Sequence, residues 1–101
     1  YHLLTCDEFD ADEAYRIGLV QEIVPVGSEL TRALDLAAKV CEMAPLAVQE
    51  TKASSKRWID EGFKATVNAM GSVQSKLLAS DDAKEGVASF VERRSAQFKG
   101  R

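Results

Sequence analysis

The sequence predicts a mostly α-helical protein. From residue 28 onward, apolar side chains recur every three or four positions, the spacing that places them on one face of a helix. Glycine and proline occur singly where that periodicity is interrupted, and both residues commonly mark helix ends. Hydrophobic residues make up 46% of the 101 residues and charged residues 29%, a balance typical of folded chains.

The amino-terminal segment has a different pattern. Residues 1–4 read as the tail of a helix, because two leucines arrive with no start signal before them. Asp10 or Asp12 can cap a short helix that Gly18 ends. The apolar and β-branched residues within Leu19–Val24, before Pro25, predict a short strand. These elements fit poorly into a helical bundle and indicate the edge of a larger structure.

A turn at residues 25–27 predicts a boundary between residues 1–26 and residues 27–101. Ser28 can cap the first helix beyond it. The apolar stripe of that helix consists of Leu30, Ala33, Leu34, Ala37, Val40 and Cys41. Helices of this length are marginal alone, so such a stripe needs a partner surface.

Two longer helices are expected next. Pro45 suits the first position of a helix that runs to about Glu61. Gly62 separates it from a helix over Phe63–Leu78, which Gly71 weakens.

The last predicted helix carries Ala83, Val87, Phe90, Val91 and Arg94 on one face. Asp82 and Glu85, three positions apart, resemble a capping box at its start. The polar segment Ser95–Arg101 is expected to fray.

Composition argues against several classes of function. The net charge of −3 provides no basic footprint for nucleic acid. A single histidine, His2, leaves neither a His/Cys metal cluster nor a Ser-His-Asp triad. Cys6 and Cys41 form no CxxC motif, and no apolar run approaches the roughly 20 residues that span a membrane. We therefore expect no metal, no nucleic-acid partner, no membrane and a reducing, cytoplasmic setting.

No catalytic residue is predicted. Carboxylates are frequent before residue 30, but general acid–base catalysis needs a buried cleft, so these are expected to be helix caps and surface charges. They are Asp7, Glu8, Asp10, Asp12, Glu13, Glu22 and Glu29.

Phe90 and Arg93 are the candidate binding residues. Three positions apart on a helix, they would share a face and present an aromatic ring beside a cation. An adenine ring can stack on such a surface, and a guanidinium can reach phosphate oxygens. The alternative is structural, with Phe90 in the apolar stripe and Arg93 solvated. For Trp58 the same comparison favours a core position.

Three phrases in this order resemble the crotonase, or enoyl-CoA hydratase/isomerase, family. The first is Leu4-Thr5-x-Asp7 followed by Ala11-x-x-Ala14-x-x-x-Gly18-Leu19-Val20. The second is Pro45-x-Ala47-x-x-x-x-Thr51-Lys52. The third is Ser80-x-Asp82-x-x-Glu85-Gly86-x-x-x-Phe90-x-Glu92-Arg93-Arg94. The match covers nearly all of the chain and resembles the carboxyl-terminal third of such enzymes.

The resemblance implies the helical carboxyl-terminal region of a crotonase-like fold, with a short remnant of its spiral of ββα units. Residues 1–26 would be the end of the spiral core. Residues 27–101 would be the helical region that forms trimers, often stacked as hexamers, and part of the coenzyme A pocket. The family's catalytic glutamates and oxyanion hole lie in earlier segments, so the chain, which starts at Tyr1 without Met, is expected to be an inactive piece that needs the rest of the crotonase core.

The resemblance also assigns individual positions. The family's coenzyme A pocket has a phenylalanine that matches Phe90 and a lysine whose position Arg93 occupies, which keeps the charge and changes its geometry. Coenzyme A would be part of the acyl-CoA substrate, with no tightly bound cofactor. Cys6 stands where the family has a glycine in a left-handed conformation, at a cost of about 1 kcal/mol.

Two functions remain open at this point. One is the carboxyl-terminal part of an enoyl-CoA hydratase/isomerase, with hydration of 2-enoyl-CoA as the commonest reaction; reaction type and acyl chain length stay undetermined. The other is a stand-alone helical module that grips a partner helix or groove. A helix-turn-helix nucleic-acid binder is opposed by the acidic charge balance.

Overall fold

The computed structural model describes residues 1–101 as six α-helices joined by irregular segments, without a β-strand, which confirms the mostly α-helical prediction. The helices are α1 (His2–Thr5), α2 (Ala11–Arg16), α3 (Glu29–Cys41), α4 (Pro45–Glu61), α5 (Phe63–Leu78) and α6 (Asp81–Glu92). The chain divides into two compact units, residues 1–35 and residues 36–101. The predicted boundary after residue 26 concerns the spiral core of a larger fold and stays a prediction.

The first unit is built from short helices. Helix α1 ends at Cys6, which adopts a left-handed conformation with φ of 57° and keeps its thiol exposed. Asp10 caps α2, since its side chain accepts a hydrogen bond of 2.9 Å from the backbone N–H of Glu13. The short strand expected over Leu19–Val24 is not formed. A strand needs a second segment to complete its backbone hydrogen bonds, and no segment of this chain pairs with it.

In the second unit, α4 and α5 form an antiparallel pair that we call the hairpin. Pro45 occupies the first turn of α4 as predicted, and Gly62, with φ of 86°, joins the two helices. Near the open end, Lys76 Nζ lies 2.5 Å from Glu50 Oε1. Helix α5 continues through Gly71 without interruption and then packs against α6.

The apolar faces of the helices are largely uncovered. Ala14 is the one buried hydrophobic residue of the chain. The stripe predicted on α3 is exposed. The large exposed side chains of the hairpin are Trp58, Ile59, Phe63, Val67, Met70 and Leu78. Trp58 is 53% exposed, so its predicted core position is wrong. Its ring meets that of Phe63 edge-on, with the two centroids 5.2 Å apart.

No helix is long and apolar enough to cross a bilayer. Large apolar side chains are exposed on several of the helices, among them Leu34 on α3, Ile59 on α4 and Val87 on α6.

Candidate functional site

The candidate site lies at helix α6 and the segment that follows it. Ser80 caps the helix, because its Oγ accepts a hydrogen bond of 3.1 Å from the backbone N–H of Ala83. The capping box predicted for Asp82 and Glu85 is therefore wrong. Both residues already lie inside the helix, and their carboxylates bind groups that are distant in sequence.

Residues 95–101, which we call the strap, run back along α6 to its amino-terminal end. Asp82 is only 3% exposed, and its two oxygens accept hydrogen bonds from the backbone N–H groups of Lys99 (2.6 Å) and Gly100 (2.8 Å). The carbonyl of Arg101 in turn accepts from the N–H groups of Asp81 and Asp82, at 2.8 and 3.1 Å. The expectation that this segment frays is wrong, because α6 supplies partners for its backbone.

Close packing complements these hydrogen bonds. Phe98 lies against Gly86, where an added Cβ would be 3.7 Å from the ring, and it lines an apolar pocket with the start of α4 and the end of α5. Gly100 has a φ of 74°, and a Cβ there would meet the Pro45 ring at 3.5 Å. The strap thus joins α4, α5 and α6.

Glu85 and Arg94 form the second anchor. Two guanidinium nitrogens of Arg94 donate to the two Glu85 oxygens, at 2.5 and 2.9 Å, and the Arg94 Nε donates to Glu92 at 2.6 Å. Glu85 also accepts a hydrogen bond of 2.8 Å from the backbone N–H of Gln97. The Arg94 hydrogen bonds, helped by the Gln97 N–H, lower the pKa of Glu85 to about 2. The same carboxylates, Glu85 first, raise the pKa of Arg94.

Helix α6 ends in a left-handed turn at Arg93, with φ of 54° and ψ of 41°. The Arg93 N–H donates to the Phe90 carbonyl (3.3 Å) and the Arg94 N–H to the Ser89 carbonyl (3.1 Å), the two bonds of a Schellman motif. The left-handed conformation costs a residue other than glycine about 1 kcal/mol, so surrounding contacts must stabilise it at Arg93.

The structure modifies the premise behind the candidate pair. Phe90 lies in the last turn of α6 and is 85% exposed. Arg93 lies just beyond the helix, so helical spacing does not set the direction of its side chain. It is exposed and joins neither ion pair of Arg94. Arg94 is thus held by ion pairs, whereas Arg93 is available to a ligand. The binding role of Phe90 and Arg93 stays a prediction.

Reasoning from the sequence missed the anchors Asp82, Glu85 and Arg94. All three fall within the third family-like phrase, but their spacing does not show which groups they bind. No group of three His, Cys, Asp or Glu side chains lies close enough together to hold a metal ion.

Comparison with known proteins identifies the fold. The family model for enoyl-CoA hydratase/isomerase matches residues 1–101. The chain is 38% identical to an enoyl-CoA hydratase of Mycobacterium tuberculosis over 98% of its own length and 37% of that protein. It is 35% identical to a carnitinyl-CoA dehydratase of Proteus mirabilis, over 98% of its length and 40% of that protein.

A solved structure shows the same likeness. It is that of a probable enoyl-CoA hydratase/isomerase from Mycobacterium abscessus, which superposes with a TM-score of 0.92 and 43% identity over 97% of this chain and 38% of that one. The chain thus spans about 40% of the length of the curated relatives it matches, a share that fits the family's helical carboxyl-terminal portion. Sequence and structure together place the chain in the enoyl-CoA hydratase/isomerase, or crotonase, family.

Proposed function

We propose that the chain forms the carboxyl-terminal part of an enzyme that acts on acyl-CoA thioesters, with hydration of a 2-enoyl-CoA as its reaction. The observation that carries this proposal is the family match along all 101 residues. The relatives include an enoyl-CoA hydratase and a carnitinyl-CoA dehydratase, which favours addition or removal of water as the reaction type.

The role proposed for the chain is structural support and coenzyme A binding. Phe90 would stack against the adenine ring, and Arg93 would bind phosphate oxygens of the coenzyme A part of the substrate. Their exposure supports this role, since neither side chain would have to leave a buried position to reach a ligand. The groups that polarise the thioester and move protons would come from segments that precede residue 1 in the family fold.

Assembly is the second part of the proposal. Residues 1–26 would complete the spiral core, and residues 27–101 would contact neighbouring subunits in a trimer or a hexamer. The support is energetic: each fully buried large apolar side chain contributes about 1.5–3 kcal/mol, so the uncovered faces of α3 and the hairpin favour association. The cytoplasmic location stays a prediction.

A stand-alone interaction module is the less favoured alternative. An independently folded module needs a hydrophobic core of its own, and Ala14 is the one buried hydrophobic residue here. The exposed apolar faces of α3 and the hairpin therefore support assembly and disfavour a stand-alone module.

The test compares the 101-residue chain with the full-length enzyme. We expect the full-length enzyme to remove the enoyl absorbance of a 2-enoyl-CoA and the chain alone to show no turnover. Sedimentation of the chain alone should show concentration-dependent self-association. An isolated chain that hydrates the thioester at an enzymatic rate would contradict the proposal, as would a monomeric chain that unfolds cooperatively.

A further inference from the structure

We propose that Glu85 is a positioning residue of the coenzyme A site, which acts by fixing the end of helix α6 so that Arg93 is presented beside Phe90. This inference rests on the proposed contact of Phe90 and Arg93 with coenzyme A. Glu85 itself would not contact coenzyme A.

The first step is the choice between two adjacent arginines. Arg93 and Arg94 follow each other at the end of α6, and either could carry the charge toward a phosphate. Glu85 binds Arg94 at two points, and Glu92 binds its third nitrogen, so Arg94 is occupied. Arg93 is thereby left as the available cation at this helix end.

The second step is the backbone conformation. Arg93 adopts a left-handed conformation without being glycine, and such a residue keeps it only where the surroundings determine it. Glu85, from within α6, binds two residues that follow that turn. It binds the Arg94 side chain directly after it, and it accepts the backbone N–H of Gln97 three residues further along.

The third step is the direction of the chain. Because the Schellman motif reverses the path after Phe90, the following residues return along α6 as the strap. Without Glu85, the residues after the turn would lose the contacts of Arg94 and Gln97 with α6, and Arg93 could sample other positions relative to Phe90. We therefore expect loss of Glu85 to weaken the binding of coenzyme A by Arg93 and to leave the rate of the chemical step unchanged.

The experiment measures kcat and KM of the full-length enzyme for a 2-enoyl-CoA and for the matching enoyl-pantetheine, which lacks the nucleotide. We expect E85Q to raise KM for the CoA thioester about fivefold, the loss typical of a weakened charge-assisted contact, with kcat and the pantetheine KM unchanged. R93A should raise the CoA KM by about tenfold. The double variant E85Q/R93A should match R93A, because Glu85 acts through that residue.

E50Q is the matched control. It makes the same substitution and removes a cross-helix ion pair of equal length, between Glu50 and Lys76, away from the end of α6. We expect it to change KM for neither substrate. If E85Q does not fold, R94K provides the same test, since lysine keeps the charge and loses the two-point geometry.

The outcomes separate the two proposals. If R93A raises KM and E85Q does not, the positioning role is wrong while the proposed contact stands. An E85Q effect that persists in the R93A background, or that appears equally with the pantetheine substrate, also overturns the positioning role. If R93A itself leaves the CoA KM unchanged, the proposed coenzyme A contact fails.

Discussion

The hairpin and the strap-bound helix α6 differ in how their contacts are completed. In the hairpin, α4 packs against α5, and Trp58, Ile59 and Phe63 remain exposed. In α6, Asp82 and Glu85 take up the backbone N–H groups of the strap, so that this part of the fold is closed by its own chain. The difference is that the strap supplies α6 with hydrogen-bond partners from its own chain, whereas these three side chains of the hairpin are left exposed.

The largest effect is expected from loss of the buried anchor in D82N. Asparagine replaces one acceptor oxygen by an N–H₂ group that faces a backbone donor. We expect the strap to be destabilised by about 2 kcal/mol. Hydrogen exchange at the Lys99 and Gly100 amides of the full-length enzyme should accelerate accordingly.

D81N is the control for this comparison. Asp81 is adjacent in sequence but exposed, and it pairs with Lys84 on the surface. Its substitution should change the exchange rates by less than about 0.5 kcal/mol in equivalent free energy. Equal protection in D82N and the unmodified enzyme would show that the strap is held by something other than this carboxylate.

Two glycine substitutions should have opposite signs in the two regions. In the strap, G100A places a Cβ on a residue with φ of 74° and against Pro45, and we expect a loss of about 1–2 kcal/mol. In the hairpin, G71A lies within α5 with no atom of this chain within 4 Å of the added Cβ, and a gain of about 1 kcal/mol is expected. Urea unfolding of each variant of the full-length enzyme measures both. A gain from G100A would contradict the left-handed conformation of that residue.

The smallest expected effect is the pH dependence of the Glu85 contact, because this group is partly exposed and screened by solvent. Its pKa is lowered from 4.5 to about 2 in the folded chain, chiefly by Arg94. A lowered folded pKa means that the contact stabilises the fold above pH 4.5 and that this contribution is lost as the pH falls from 4.5 toward 2. The difference in unfolding free energy between the unmodified protein and E85Q should shrink over that window. If the difference in unfolding free energy is constant with pH, the effect of E85Q does not come from the charge of the Glu85 carboxylate.

Local sequence signals predicted the helices well. Pro45 starts α4, Gly62 separates α4 from α5, and Asp10 caps α2, each through interactions within a turn or so of the residue itself. The strand over Leu19–Val24 was wrong because a strand depends on a distant partner.

At the candidate site, the residue types were visible in the sequence and their contacts were not. Phe90 and Arg93 stood out as an aromatic ring near a cation. They do not both lie within the helix, because α6 ends in a left-handed turn at Arg93. The conformational preference of arginine does not predict such a turn.

The sequence by itself therefore determined the helical fold class, the positions of most helix ends and the family resemblance, because these depend on short-range spacing and on residue identity. Only the tertiary structure decided that Asp82 binds backbone groups 17 and 18 residues away, that Glu85 occupies Arg94 and that Trp58 is uncovered. The physical reason is that a carboxylate or an aromatic ring accepts many partners, and the folded path of the chain selects among them.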